Sequence, residues 1–223
     1  MEYHWNFSFL TDYGPLLWRG LWGTAVISGL SLIGSTLIGL LIGMGQMSPR
    51  FWLRWPSVWY VELLRNTPAL VHLYIVFFVV PVLLGHQVQP IVAAVIALSL
   101  YSASHMAEIF RGGIRSVERG HWEAAKALGL GFRHQMQSIV LPIAIKRMVP
   151  PFTNKIIELV KLSSLASLIG YRELVYQARL IATSEFRPIE AFTVIAIMFG
   201  LLLVPLSYWS RRLENRLAKG DLR

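Results

Sequence analysis

Residues 120–142 read GHWEAAKALGLGFRHQMQSIVLP, the longest polar interruption between the apolar segments of the chain. Trp122, Ala125 and Leu128 recur at helical spacing, with Glu123 and Lys126 on other faces. Gly129 and Gly131 then stop the helix, because glycine is the usual residue at a helix C-terminus. Phe132, Met136, Ile139 and Val140 follow at i, i+4, i+7 and i+8, the stripe of a second amphipathic helix. The pattern predicts two short helices around a glycine turn, standing between membrane segments. Such a hairpin is either an ordinary interfacial loop or a handle on which something soluble docks, and periodicity alone does not choose between them.

Around it the chain is strongly apolar. Of 223 residues 55% are hydrophobic and only 15% charged, and the mean hydropathy is +0.52. Those values point to a membrane protein rather than a soluble core. The absence of cysteine excludes a disulfide scaffold or a thiolate metal site. A net charge of +9 would suit a nucleic-acid binder, but the basic residues cluster beside the apolar segments. There they set orientation and meet anionic headgroups, so the expected partner is the lipid bilayer and not nucleic acid.

The expected fold is an all-α polytopic bundle, one transmembrane domain over residues 1–223. About five spans fall at roughly 21–44, 57–84, 91–110, 143–168 and 189–210, with a hairpin at 120–142. The N-terminus lacks the charged start, apolar core and cleavage site of a signal peptide. Trp5, Phe7, Phe9, Tyr13 and Trp18 read instead as an interfacial aromatic belt. In the first span Gly34, Gly39 and Gly43 allow another helix to approach closely.

Polar residues inside spans are costly and therefore informative. In the second span Glu62 and Arg65 stand i, i+3 and can pair, just before Asn66, Thr67 and Pro68. In the third, Ser102, Ala103, Ser104 and Ala107 make a small, polar face that packs tightly or lines a cavity, and Glu108 and Arg111 mark the helix end. The fourth is the least apolar: Pro150 and Pro151 are expected to kink it, and Asn154, Lys155, Glu158, Lys161, Ser163 and Ser164 follow. Asn154, Glu158 and Lys161 share one face at i, i+4, i+7, either lining a polar path or held structurally, in an internal Glu158–Lys161 salt bridge or by pairing with Glu62 and Arg65 of the second span. Residues 171–188 are too polar to span.

Arg50 and Arg54, seven Lys or Arg from Arg111 to Arg147 and five from Arg211 onward place fourteen of the 21 cations on one side. Arg19, Arg172, Arg179 and Arg187 lie on the other side. The positive-inside rule therefore puts the N-terminus outside, and the hairpin and C-terminal tail in the cytoplasm.

Glu123-Ala124-Ala125, three residues, Gly129, nine residues, then Ile139-Val140-Leu141-Pro142 resemble the E-A-A…G…I-x-L-P loop of ABC-importer membrane subunits. YVELLRNTPALVHLYIVFFVVP, AEIFRGGIRSVERGHWEAAKALG and NKIIELVKLSSLASLIG are similar to signatures of the polar amino-acid permeases in that family. The likeness covers roughly residues 15 to 215. Leu162 departs from it where a polar residue usually follows the lysine, as do His121 and the run from Ser102 to His105.

The resemblance implies a type I ABC importer permease in the bacterial cytoplasmic membrane. A second permease, identical or a sister, would complete the pathway, and an extracytoplasmic binding protein would deliver an amino acid. Glu123, Ala124, Ala125, Gly129, Leu141 and Pro142 would couple it to a dimer of ABC ATPases. The substrate pathway would draw on Asn154, Glu158, Lys161, Ser163, Ser164, Asn66, Thr67 and Ser102. The chain has no G-x-x-x-x-G-K-[ST] loop, so ATP and Mg belong on the partner and no cofactor is expected here.

Two other classes compete. An intramembrane enzyme would draw on His72, His105 and Glu108, but neither H-E-x-x-H nor G-x-S-x-G occurs. An autonomous channel or secondary carrier would have no use for a docking loop, and no internal repeat is visible.

Overall fold

Wherever the sequence runs apolar for long stretches it is helical, and the breaks fall at proline and glycine. The computed structural model describes residues 4–219, and every regular element among them is a helix. Met1 to Tyr3 and the end of the basic tail, from Gly220 on, lie outside the described residues. In order the α-helices are α1 (Phe9–Met47), α2 (Phe51–Arg65), α3 (Ala69–Tyr74), α4 (Val80–Leu84), α5 (Pro90–Arg115), α6 (Arg119–Ala127), α7 (Phe132–Gln135), α8 (Leu141–Leu162), α9 (Leu174–Ser184) and α10 (Pro188–Lys219). π-helical turns at Ile75–Val79 and Met136–Val140 join α3 to α4 and α7 to α8, and a 3₁₀ segment, Ser163–Ile169, continues α8. Each π turn ends two residues before a proline, Pro81 or Pro142. A proline has no N–H to give the ladder, which loosens there.

Three helices among the described residues, α1, α5 and α10, are long and apolar enough to cross a bilayer. A fourth arises if the bent pair α2 and α3–α4 counts as one span. The expected span at 57–84 is therefore not a straight rod: it bends by 105° where α2 meets α3, at Asn66-Thr67-Pro68. Pro68 forces Thr67 out of helical conformation and supplies no donor. The outer helices exceed their expected limits. The first begins at Phe9 rather than near 21, and its 39 residues would extend about 58 Å at 1.5 Å per residue, more than a bilayer needs.

The fourth expected span is α8 with its 3₁₀ extension, too rich in charge to pass on composition alone. Pro150 and Pro151 lie inside α8 without ending it. Thr153 Oγ1 donates to the Pro150 carbonyl at 2.9 Å.

The bundle is held at its middle by the pairing of α1 with α5. A Cβ placed on Gly39 would stand 2.5 Å from Met106 Cβ, and one on Gly43 would stand 3.0 Å from the Ala107 carbonyl oxygen. Backbones this close need glycine on one side, as the spacing in the first span predicts. Ile27, Leu73, Ala97, Leu98 and Leu159 form the central core. A second cluster, with Leu17, Leu174, Ile181 and Ile195, seats α9 between α1 and α10. A third, Val117, Val140, Ala144 and Met148 with Trp122 against it, anchors the base of the hairpin.

Candidate coupling hairpin and transport cavity

The hairpin turns where the sequence requires it. Gly129 adopts φ +70°, a conformation L side chains take up at a cost. Around it the Leu130 N–H donates to the Ala125 carbonyl at 3.1 Å and the Gly129 N–H to the Lys126 carbonyl at 2.9 Å. That pair of bonds is a Schellman closure of α6. Gln135 is buried and its Nε2 donates to the Leu130 carbonyl at 2.5 Å, tying α7 back to the turn.

The two halves of the hairpin differ from expectation in one respect. The second half is no free-standing helix, because α7, the π turn and α8 form one helical run from Phe132 to Leu162. Of the E-A-A residues, Glu123 and Ala124 are exposed and Ala125 is fully buried, so Ala125 packs inward. Pro142 is exposed and Leu141 half-buried. The sequence puts Leu128 and Phe132 on the apolar stripes of the two helices, but both stand at the tip, 76% and 69% exposed on either side of the turn. Their signal was present, as two large apolar residues flanking glycines in a polar stretch.

Above the hairpin base lies a cavity of about 520 Å³, lined by Arg65, His105, Glu108, Arg147, Asn154, Lys155 and Glu158 among others. α8 contributes four of these residues, α5 two and α2 one. Lys155 is buried, and its Nζ lies 2.8 Å from Glu158 Oε1 and 5.1 Å from the centre of the Tyr101 ring. The internal salt bridge of this helix is thus Lys155–Glu158, not Glu158–Lys161: both pairs are i, i+3, but Lys155 is on the buried side of α8 against Tyr101 while Lys161 is exposed.

Glu108 forms a second knot. It accepts from Arg111 Nε and Gln46 Nε2, both at 2.9 Å, and Arg65 Nη1 stands 3.6 Å away. Arg65 therefore turns to α5 rather than to Glu62, whose carboxylate instead accepts from Asn66 Nδ2 at 3.2 Å. The Glu108–Arg111 pair forms at i, i+3 as its spacing allows, but not at the helix end as expected, because α5 continues past it to Arg115.

The other expected pathway residues are distributed more widely. Asn154, Glu158 and Lys161 do share a face, which lines a second hollow of about 440 Å³ with Ser207, Arg211 and Glu214. Lys161 and Ser164 border a smaller one of about 270 Å³ against α10. Ser163 is buried and spends its hydroxyl on the Val160 carbonyl. Ser102 is fully buried with no hydrogen-bond partner for Oγ, so it belongs to the packed side of α5 and not to a cavity wall. Asn66 and Thr67 occupy the elbow after α2, bonded to the Glu62 and Leu63 carbonyls, with His72 Nε2 2.6 Å from Thr67 Oγ1. His72 and His105 are thus engaged in separate local bonds, His105 with Tyr101 and Ser104. No group of three or more His, Cys, Asp or Glu among the described residues is placed to hold a metal.

Two fully buried acids among the described residues, Glu173 and Glu190, escaped sequence reasoning, and Glu190 is paired with Arg187 at 2.9 Å. Glu173 is fully buried at the start of α9, where its carboxylate accepts from the Val175 and Tyr176 N–H groups at 2.9 and 2.8 Å. Thr24 of α1 donates to it at 3.5 Å and accepts from the Leu174 N–H at 3.3 Å. Burial pushes the Glu173 carboxyl up to about 7, against the pull of those donors. A lone glutamate ahead of an apolar run gives only a helix-cap signal, and its burial depends on α1.

Known proteins share this architecture along its whole length. Residues 35–219 match the family described as "Binding-protein-dependent transport system inner membrane component". The chain is 36% identical over 217 residues to the probable amino-acid ABC transporter permease protein YckA of Bacillus subtilis (strain 168), covering 97% of this chain and 96% of that one. It is 33% identical over 218 residues to the glutamine transport system permease protein GlnP of Escherichia coli (strain K12), covering 97% and 99%. The crystal structure of an amino acid ABC transporter with histidines superposes with a TM-score of 0.90 at 30% identity, covering 96% of this chain and all of that one. The chain therefore belongs to the inner-membrane permease components of binding-protein-dependent ABC importers, in their polar amino-acid uptake branch, and is not itself the ATPase.

Proposed function

We propose that the chain is one of two permease subunits, identical or sister, that enclose a path for a polar amino acid delivered by an extracytoplasmic binding protein. Two ATPase subunits carrying ATP and Mg grip the hairpins from the cytoplasm, the N-terminus faces outward and the basic tail inward. Glu123 and Ala124, the Gly129 turn and Pro142 present the docking surface, with Leu141 and the buried Ala125 as its packing base. Asn154 and Glu158 meet the substrate, Lys161 and Ser164 border its exit, and Ser163, Asn66 and Thr67 hold the helix ends that frame the path.

The observation that carries this reading is the single helical run from Phe132 to Leu162. It begins at the hairpin tip and ends along the wall of the polar cavity. A push on α7 is transmitted along this continuous helical run to Lys155 and Glu158, which is what coupling ATP hydrolysis to access requires.

Reconstitution in liposomes tests it. The permease pair with its ATPase and binding protein should accumulate a polar amino acid only when ATP is supplied on the hairpin side. Uptake by the permease chain alone, without ATPase, would overturn the reading in favour of an autonomous carrier.

A further inference from the structure

Resting on the reading that the 520 Å³ cavity is the substrate path, we propose that its charges admit zwitterionic and acidic amino acids and turn away cationic ones, with Lys155 and Arg65 as the specificity-determining residues.

The cavity wall carries three basic side chains, Arg65, Arg147 and Lys155, and the imidazole of His105, against two carboxylates, Glu108 and Glu158. Both carboxylates are already engaged. Arg111, which does not line the cavity, holds Glu108 with Nε at 2.9 Å and Nη2 on the second oxygen, while Gln46 takes a further position at 2.9 Å. Lys155 holds Glu158 at 2.8 Å and cannot be drawn away without leaving a buried ammonium unpaired.

The ammonium also sits against the Tyr101 ring, which fixes it further. What remains unspent is positive. Arg65 is only loosely paired, 3.6 Å from Glu108, with 41% of its side chain exposed. Arg147 at the rim bonds the Ser116 carbonyl and stands 3.9 Å from an exposed Glu118.

A guanidinium with open donors is matched to a carboxylate, which it binds in a planar, two-point fashion. An amino acid's α-carboxylate meets Arg65, and its α-ammonium takes the outer edge of Glu158 and the Asn154 amide oxygen. A second negative charge on the side chain finds Arg147. A second positive charge finds no free carboxylate and meets the like charges of Arg65 on α2 and of Arg147 and Lys155 on α8. The filter is thus made by pre-empting acids, not by lacking them.

The binding protein selects its ligand before the membrane does, so the test uses the purified permease–ATPase complex without it. Calorimetric titration with glutamine, glutamate, arginine and lysine should give binding for the first two and none for the last two at the same concentrations. Lys155→Met releases Glu158 and should move the arginine-to-glutamine affinity ratio by about tenfold or more towards arginine, the scale of one unit-charge contact. Glu158→Gln, a second and milder variant, should move it the other way and sharpen preference for glutamate. Arginine bound by the unaltered complex as tightly as glutamine overturns the filter. Absence of binding for every amino acid, with transport by the full system untouched in Arg65→Gln, overturns instead the reading of this cavity as the path.

Discussion

The Leu130 N–H reaches back across Gly129 to the Ala125 carbonyl, 3.1 Å away, and so closes the hairpin at a residue with φ +70°. A Cβ on Gly129 would meet nothing within 4 Å, so the constraint there is conformational and not steric crowding. A β-branched residue in that conformation costs about 1–2 kcal/mol and favours an unwound turn. Gly129→Val should leave insertion and melting temperature nearly unchanged and abolish substrate-stimulated ATP hydrolysis. Normal stimulation in the variant complex would separate the turn from coupling.

Leu128 and Phe132 are the large apolar groups at the hairpin tip, and both are mostly exposed. Solvent-facing apolar pairs at a polar loop mark a contact surface. Leu128→Ser with Phe132→Ser should reduce co-purification of the ATPase at least about tenfold, the effect of losing about 1.4 kcal/mol at an interface. Stability of the permease alone should not fall, because neither side chain packs within it. Retention of the ATPase by the double variant would move the docking site elsewhere.

Most of the helical frame was legible because membrane spans and glycine breaks are local properties. The Gly129 turn and the Gly39–Gly43 face needed only spacing. The elbow at Asn66–Pro68 was harder, since an apolar run on both sides reads as one span and only Pro68 marks the 105° bend. Partner choice was the hardest. Lys155 rather than Lys161 meets Glu158, Arg65 meets Glu108 rather than Glu62, and Ser102 faces inward. Each depends on which way a helix is rotated in the bundle, and an i, i+3 or i, i+4 spacing permits several answers. Glu173 was missed for the same reason: its burial is decided by Gly20, Gly23 and Thr24 on a helix 150 residues earlier, where Thr24 bonds the Leu174 N–H.

The close pass of α1 over α5 predicts a graded response at two glycines of one helix. At Gly39 an added Cβ would sit 2.5 Å from Met106 Cβ and 2.9 Å from the Ala103 carbonyl oxygen, while at Gly29 it would meet nothing within 4 Å. Gly39→Ala should destabilise by about 1–3 kcal/mol through overpacking. Gly29→Ala should be neutral or slightly stabilising, by at most about 1 kcal/mol. Thermal unfolding of the detergent-purified complex checks both, and equal melting temperatures would mean that the two helices do not pack as described.

Orientation is open to direct labelling, since the chain has no cysteine of its own. Gln87 lies exposed in the turn between α4 and α5, and Lys126 lies exposed on α6. In intact cells a cysteine at Gln87 should react with an impermeant maleimide and one at Lys126 should not, because the cations around the hairpin hold it inside. The reverse pattern would place the hairpin out of reach of any cytoplasmic ATPase.

Glu173 makes the contact of α9 with α1 sensitive to pH in a definite direction. Its carboxyl titrates at about 7 in the folded chain, against an ordinary glutamate value of 4.5, because burial disfavours the charged form. The folded state therefore binds the proton more tightly than the unfolded state. The stabilisation this gives is fully present below about pH 4.5 and is lost as pH rises through about 7. The melting temperature of the purified complex should fall by several degrees between about pH 5 and about pH 8 on this account. Glu173→Gln should remove that slope, because the amide, like the protonated acid, keeps one acceptor oxygen for the N–H groups of Val175 and Tyr176 and carries no charge. The variant should then match the wild type near pH 5 and exceed it near pH 8. A wild-type slope that survives in Glu173→Gln would assign the pH dependence to another group and leave Glu173 as a helix cap alone.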